Sequence, residues 1–398
     1  VGGTSEVVSV IGDYQKLETT SAQIGNTIEQ KAIESLPLNG RNPLSLLTLE
    51  PGVVQRSYGG AGSGMHVNGS RDRAYNVTID GIDANESSVP NPMSNVYRLN
   101  PDNVQEFRSI TSNATAEQGR NSGANIAIAT RQGTNDFHAN AYEFFRNTAL
   151  NSNEFYANAL GSKRPDIKMN QFGIEGGGPI IKNKTFFFAG YQNQRINTTQ
   201  PIDQTYGLPT LYSPTLLSGI YRYWIADPNV PFTFGGQTIT RNNPILVDTA
   251  TGALKPGVPV CSATVTTNCV ASYNIFANDP QKIGADPKVM AIFKSYPIPN
   301  NYALAGDGLN TATYYWNAPA KFQGPNILFR VDHAFNENNH VFARYMYADY
   351  NTLKGDPLNG RPMVFPGFPP MGEVFRKTQG LSTNYRRVIS STMVNEFT

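Results

Sequence analysis

The 398-residue sequence predicts a mainly β protein, in which a small mixed α+β unit is followed by about seven strands of a large antiparallel transmembrane β-barrel. Three observations predict it. Only 16% of residues are charged and 11% are aromatic, and Gly and Pro punctuate polar stretches, a composition suited to many strands joined by long loops. From residue 134 onward, apolar and polar positions alternate over runs of about ten residues, the length a tilted membrane strand needs. The connections between these runs alternate between short and long, as in a barrel with a turn side and a loop side.

Residues 1–19 are expected to form an extended segment, with a β-branched stretch from Glu6 to Ile11. The spacing of Ile28, Ala32, Ile33 and Leu36 predicts a helix from residue 27 that Pro37 closes. A second short helix is expected over 42–49, with Asn42 as its N-cap and Pro43 at the first helical position. Gly-rich turns at 59–64 precede short strands at 65–68 and 75–79, the latter ended by Asp80-Gly81. Further strands are predicted at 104–111 and 124–130, where Ile126 and Ile128 alternate with Ala127 and Ala129. Residues 20–133 thus read as one compact unit.

In the second part, strands are expected at 137–146, 169–180, 185–196, 326–335, 341–350, 377–388 and from 392. The clearest pair is 326–335 with 341–350. There Ile327, Phe329, Val331, His333 and Phe335 share one face, and Leu328, Arg330 and Asp332 the other. Val341, Ala343, Tyr345 and Tyr347 likewise oppose Phe342 and Arg344. Connections are short at 181–184, 336–340 and 389–391 but long at 147–168, 197–323 and 351–376, the asymmetry of outer-membrane barrels. A soluble β-sandwich with irregular loops is the alternative, and a connection as long as 197–323 speaks against it. About seven strands cannot close a large barrel and would leave two exposed edges. The chain, which starts at Val1 without an initiator Met or signal peptide, is therefore expected to be a fragment whose missing strands lie beyond Thr398.

The net charge of +2 and the absence of a Lys/Arg-rich run argue against nucleic acid as a partner. No stretch approaches the ~20 apolar residues of a spanning helix, which leaves membrane-spanning strands open. Cys261 and Cys269, in one Thr-rich loop, are expected to form a small disulfide, implying an oxidising compartment. The run from Asp80 to Glu86 carries several oxygen ligands but departs from the calcium-loop spacing and reads as a turn. The four histidines form no ligand pair, and no nucleophile-elbow, phosphate-loop or Cys-x-x-Cys motif occurs. Neither an enzyme, a metal site nor a cofactor is expected.

Four stretches carry a resemblance: "LPLNGRNPLSLLTLEPGV" (36–53), "VNGSRDRAYNVTIDGID" (67–83), "VQEFRSITSNATAEQGRNSGANIAIATRQGTNDFHANAYEFFRN" (104–147) and "FGIEGGGPIIKNKTFFFAGYQ" (172–192). In this order and spacing they resemble the TonB-dependent outer-membrane receptors, most closely the Oar-like branch, in which a carboxypeptidase-regulatory-like domain precedes the plug. The likeness extends over nearly the whole chain except about 200–320. It implies a plug domain at about 20–133 seated inside a barrel of about 22 strands, of which the first seven or so are present. It also implies location in the outer membrane of a Gram-negative-type bacterium, contact with its lipid, a TonB-type energising protein in the periplasm and an extracellular ligand of peptide, protein or glycan type. A surface adhesin or structural barrel with an immobile plug is the alternative.

The candidate residues follow from that resemblance. Val7, Val8, Ser9 and Val10 offer the β-prone backbone that strand addition to a TonB-type partner requires; alternatively they are linker, and the partner's docking segment lies upstream of Val1. Asn39, Gly40, Arg41 and Asn42 read either as a latch, with Arg41 reaching a carboxylate on the barrel wall or plug, or as a capped turn. Glu106, Arg108 and Arg120 are latch candidates or solvated charges, and Gly119 and Gly123 are expected at tight backbone crossings. In the loop 197–323, the aromatics Tyr221, Tyr223, Trp224, Tyr314, Tyr315 and Trp316 either capture ligand or pack the loop against itself. In the hairpin 172–192, Phe187 and Tyr191 should face lipid and Phe186, Phe188, Gln192 and Gln194 the lumen. Gly176, Gly177 and Gly178 are expected where that strand passes close to the plug.

Overall fold

The computed structural model describes residues 22–36, 38, 41–55, 65–71, 74–85, 97, 99–118, 122–153, 155, 158, 164–202, 208–356 and 361–398. They divide into two compact units, one built mainly from residues up to 132 and one from 133–395.

The first unit opens with β1 (Ile24–Glu29) and α1 (Gln30–Ser35), followed by a 3-10 turn (Pro43–Leu49), β2 (Val53–Gln55), β3 (Met65–Val67), β4 (Asn76–Ile79), β5 (Ile82–Asp83), β6 (Val104–Ser112) and β7 (Asn125–Thr130). Five strands form one sheet in the order β1-β6-β7-β4-β5, with β4 and β7 parallel; β2 and β3 form a separate ribbon. The expected helix from residue 27 is corrected at its start. Thr27 and Ile28 instead pair with Arg108 and Phe107 of β6, because a β-branched pair fits the sheet edge and puts Ile28 into the core. The helix is left with Gln30–Ser35. The second helix is 3-10 rather than α, but its start is as expected, since Asn42 Oδ1 accepts from the Leu44 N–H and Pro43 follows. Val104, Phe107 and Ile110 of β6 pack with Ile126 and Ile128 of β7 in the buried core, each large side chain contributing about 1.5–3 kcal/mol by burial.

The second unit begins with β8 (His138–Asn147), β9 (Ile167–Ile181) and β10 (Thr185–Pro201). The connection after β10 carries β11 (Thr210–Tyr212), α2 (Pro214–Leu217), β12 (Ile220–Ile225), β13 (Phe232–Phe234), β14 (Gln237–Ile239), β15 (Cys269–Asn274), α3 (Pro287–Ser295) and β16 (Thr311–Thr313). The chain then returns through β17 (Asn317–Asn336), β18 (Asn339–Leu353), β19 (Val374–Ser390) and β20 (Met393–Phe397). The long strands form one seven-stranded sheet in the order β8-β9-β10-β17-β18-β19-β20, each consecutive in the wall. They outrun the sequence expectation on the loop side: β17 has 20 residues, and its ladder with β10 continues to Pro201↔Asn317, lifting the loops on an extended ribbon.

Period-two alternation divides this sheet into two chemically different faces. One register row runs Ile174, Tyr191, Ile327, Tyr347 across β9, β10, β17 and β18, and the next runs Ala189, Phe329, Tyr345, Leu381 across β10 to β19. That face is apolar and exposed, with Phe329, Tyr345 and Leu381 open to the surroundings, as a lipid-facing surface must be. The opposite face carries the row Phe188, Arg330, Arg344, Ser382, all buried, with Gln171, Glu175, Gln192, Asn326 and Asn384 buried on the same side. Arg330 grips Asp332 through Nε and a terminal nitrogen at 2.8–3.1 Å and lies 4.3 Å over the Phe342 ring. Phe187 and Tyr191 thus fall on the apolar side, and Phe188 and Gln192 on the polar one, as the hairpin pattern predicts.

The reason for the three glycines is corrected. A Cβ on Gly177 would meet the Phe187 carbonyl oxygen at 2.7 Å and the Phe188 ring at 3.2 Å, and one on Gly178 would overlap the Phe137 ring. The crowding comes from neighbours within the same unit, where the segment before β8 folds over β9. The β9–β10 turn is held by the same segment: Asn135 Nδ2 donates to Asn183 Oδ1 at 2.7 Å, and the Asn183 N–H donates to Asn135 Oδ1 at 2.8 Å.

Candidate functional site

Every long connection leaves the sheet at the same end, and the longest one is a folded module. Trp224, Ile239, Leu246, Val247, Val258, Val270, Tyr302, Leu309 and Ala312 form its own hydrophobic core. The β12–β15 ribbon runs through it, and a disulfide joins Cys261 to Cys269 with Cα atoms 5.0 Å apart, as the sequence predicts. A buried polar network ties its two ends. The Arg222 guanidinium donates to the carbonyls of Gly252 and Leu309 at 3.2 and 2.8 Å. Asp307 accepts from the backbone N–H groups of Leu309, Asn310 and Thr311 at 2.7–3.0 Å and from Asn310 Nδ2 at 2.9 Å. Burial pushes the Asp307 carboxyl up, but the hydrogen bonds from Asn310, Thr311 and Leu309 outweigh it and hold the group below the usual carboxylate value. Burial lowers the Arg222 value, opposed by Tyr302 and Asp307, and raises that of the Tyr302 phenol.

The six aromatic capture candidates separate into four settings. Trp224 is corrected: only 7% exposed, it sits in the module core against Phe232, because alternation on β12 turns it inward with Arg222. Tyr221 and Tyr223 point the other way, stacked at 6.0 Å, with Tyr273 opposite Tyr221 on β15, and all three are exposed. Tyr314 and Trp316 form a seam with the β18–β19 connection. The Trp316 indole N–H donates to the Val364 carbonyl at 3.0 Å and the Tyr314 ring lies 6.4 Å from Phe365. Tyr315 is half-buried and exchanges backbone hydrogen bonds with the Asn300 side chain at 2.7 and 2.9 Å. Sequence reasoning missed Arg222, Asp307 and Asn310. The Asp307-Gly308 turn signal was visible, but its partners lie far along the chain.

In the first unit Arg41 bonds the carboxylate of Asp102, so its carboxylate partner lies in the plug-type unit itself. Arg41 is held for this by a left-handed backbone, with φ 51°. Glu106 and Arg108 lie exposed on β6 beside the β1 edge, with Arg108 donating to Gln23 Oε1 at 3.3 Å. Gly123 marks a close crossing, where a Cβ would overlap the Ala74 carbonyl oxygen. Asp80, from the oxygen-rich run, accepts from the Thr130 N–H and hydroxyl at 2.9 and 2.7 Å, which closes the β4 end onto β7. Val7, Val8, Ser9, Val10, Asn39, Gly40, Gly119 and Arg120 lie outside the described residues.

Comparison with known proteins agrees with this architecture. The chain is 27% identical over 198 residues to the TonB-dependent transporter Oar of Myxococcus xanthus, a match covering 47% of this chain and 18% of that protein. The outer membrane transporter YddB of Escherichia coli matches 92% of the chain at 11% identity and a TM-score of 0.49, over 37% of its own length. A ferric enterobactin receptor of Pseudomonas aeruginosa matches 91% at 9% identity and a TM-score of 0.38, over 46% of its length. The chain therefore spans less than half of each of these relatives. The family model for a TonB-dependent receptor plug domain matches residues 17–125, and that for an outer membrane β-barrel domain matches residues 129–398. The chain thus belongs to the outer-membrane β-barrel family, and its first part matches the plug domain of TonB-dependent receptors.

Proposed function

We propose that the protein moves a ligand across the outer membrane, with its external loops capturing the ligand and a TonB-type periplasmic protein supplying the force that displaces the plug. The observation that carries this reading is the wall itself. An apolar, exposed outer face backs a row of buried charged and polar residues, Arg330, Arg344, Glu175 and Gln192 among them, in a chain that also holds a plug-family unit. Polar groups on the inner side suit an aqueous path that a plug occupies, and the apolar side suits outer-membrane lipid. Residues 20–133 would be the plug and 134–398 the first part of the barrel, with 197–323 as the principal external loop. The protein would act by binding and translocation, without catalysis or a cofactor. The exposed Tyr221, Tyr223 and Tyr273 supply rigid contact area for a peptide, protein or glycan.

The test is uptake by cells carrying the complete receptor, measured with and without the TonB-type partner and with the proton gradient collapsed. Loss of uptake in both conditions with surface binding retained is expected. Undiminished uptake would overturn the reading, and binding without any energised uptake would identify an adhesin or structural barrel.

A further inference from the structure

Beside the module core lies a cleft of about 700 Å³, walled on one side by β11 and α2 and on the other by the end of α3 and the segment 296–299. Tyr212 meets Phe293 edge-on at 4.9 Å, Tyr296 packs 5.6 Å from Phe365, and Leu217 and Ile298 complete the apolar lining. Phe365 belongs to the β18–β19 connection, so two separate external loops build the walls. We propose that this cleft binds a small amphiphilic anion from outside the cell, an apolar aliphatic or aromatic body bearing one carboxylate or sulfonate.

Size and chemistry carry the assignment. The volume falls in the ~300–1,000 Å³ range of small-molecule sites and cannot admit a folded partner. Four of the lining residues, Pro209, Pro214, Pro297 and Pro299, have no backbone N–H, and Leu211, Leu217, Phe293, Ile298 and Phe365 add apolar wall. Polar groups turned against that apolar part of the wall would go unpaired, at a cost an apolar body avoids. The single charged residue of the lining is Lys294, exposed in the last turn of α3, with no carboxylate in ion-pair distance among the described residues. An anionic group at the mouth would give that cation its partner while the apolar body fills the aromatic slot. The inference rests on the loops being the ligand-facing side, as in the proposed transport, but binding here needs neither the plug nor an energising partner.

The test is equilibrium binding of 2-naphthoate, followed by calorimetry or fluorescence, to the complete receptor in nanodiscs of phosphatidylcholine. The cation 2-naphthylmethylammonium serves as a control of like shape. One saturable site for the anion and none for the cation is expected. Lys294→Glu should weaken the anion roughly tenfold and favour the cation. Ile298→Asp should weaken the anion by about tenfold or more by placing a like charge in the apolar mouth. Ile298 is 68% exposed and Lys294 is also at the surface, so neither change disturbs the module core. Absence of saturable anion binding, equal binding of the two probes, or anion binding that ignores both substitutions would overturn the proposal. So would a proline-rich peptide binding where naphthoate does not, or loss of naphthoate binding in nanodiscs of phosphatidylglycerol, which would make the site one for lipid headgroups. Because no gradient or partner enters this measurement, its failure leaves the transport reading intact, and failed uptake leaves the cleft intact.

Discussion

Arg222 and Asn310, 88 residues apart, hold each other reciprocally: the Arg222 N–H donates to Asn310 Oδ1 at 2.8 Å, and Asn310 Nδ2 donates to the Arg222 carbonyl at 2.7 Å. Both residues are buried, so the pair closes the long loop on itself at the point where β12 enters the module. Asn310→Ala should leave both backbone groups unpaired and cost the module about 2–4 kcal/mol. Trp224 reports this directly, because the chain has two tryptophans and a Trp316→Phe background isolates it. A red-shifted Trp224 emission at lower denaturant is the expected reading, and an unchanged midpoint would contradict it.

Acid should loosen the same module. The Asp307 carboxyl lies below its ordinary value of 3.8 in the folded state, because the hydrogen bonds from Asn310, Thr311 and Leu309 outweigh the opposing effect of burial. A depressed folded value means that its contribution is fully present above the unfolded pKa and is lost as pH falls through the folded one, here below about pH 4. Trp224 emission should therefore change in that acid range in the Trp316→Phe protein. The Asp307→Asn variant, which cannot titrate, should lose stability at neutral pH and show a flatter acid response.

The Cys261–Cys269 bridge closes a short loop beside β15, and Cys269 is fully buried. The chain-entropy relation gives about 2–3 kcal/mol for a loop of this length. Replacing both residues with Ala should lower the thermal midpoint of the module and open the loop between them to protease. The seven-stranded sheet should keep its resistance, since its ladders do not involve the bridge.

Arg41 and Asp102 form a largely buried ion pair, with side chains 17% and 9% exposed. A double-mutant cycle with Arg41→Ala and Asp102→Ala should yield a coupling of about 1–3 kcal/mol in plug stability. A coupling near zero would show that the contact is not energetically significant. If the pair also restrains the plug, the Arg41→Ala receptor should leak small solutes, measured as antibiotic susceptibility.

The N-terminal stretch gives a functional prediction. Val8→Pro removes a backbone N–H from the segment proposed to add a strand to the TonB-type partner. Energised uptake should fall to background while the receptor still assembles in the outer membrane. Undiminished uptake would place the docking strand elsewhere in the receptor.

Much of this was legible in the sequence because a strand wall writes its two faces into alternate residues. Ile327, Phe329 and Val331 against Leu328, Arg330 and Asp332 needed only a period of two to be sorted. Local turn chemistry was equally readable: Asn42 before Pro43 capped its helix, and Ile181 to Lys184 made a hairpin. The register of Phe187 and Tyr191 outward followed from that turn. Local pattern misjudged Thr27 and Ile28, whose helical spacing lost to pairing with β6.

By itself the sequence determined the strand faces, the turns and the disulfide, because each depends on residues near one another in the chain. Only the tertiary structure decided the fate of the long loop and the partners of isolated charges. Trp224 and Tyr223 are adjacent and alike in sequence, yet one is core and the other surface, which the course of β12 through the module fixes. Arg41 finds Asp102 and Arg222 finds Asn310 across 61 and 88 residues, and the cleft joins Tyr296 to Phe365 from different loops. Such contacts carry no local periodicity; they exist because folding brings separate segments together, which no window along the chain records.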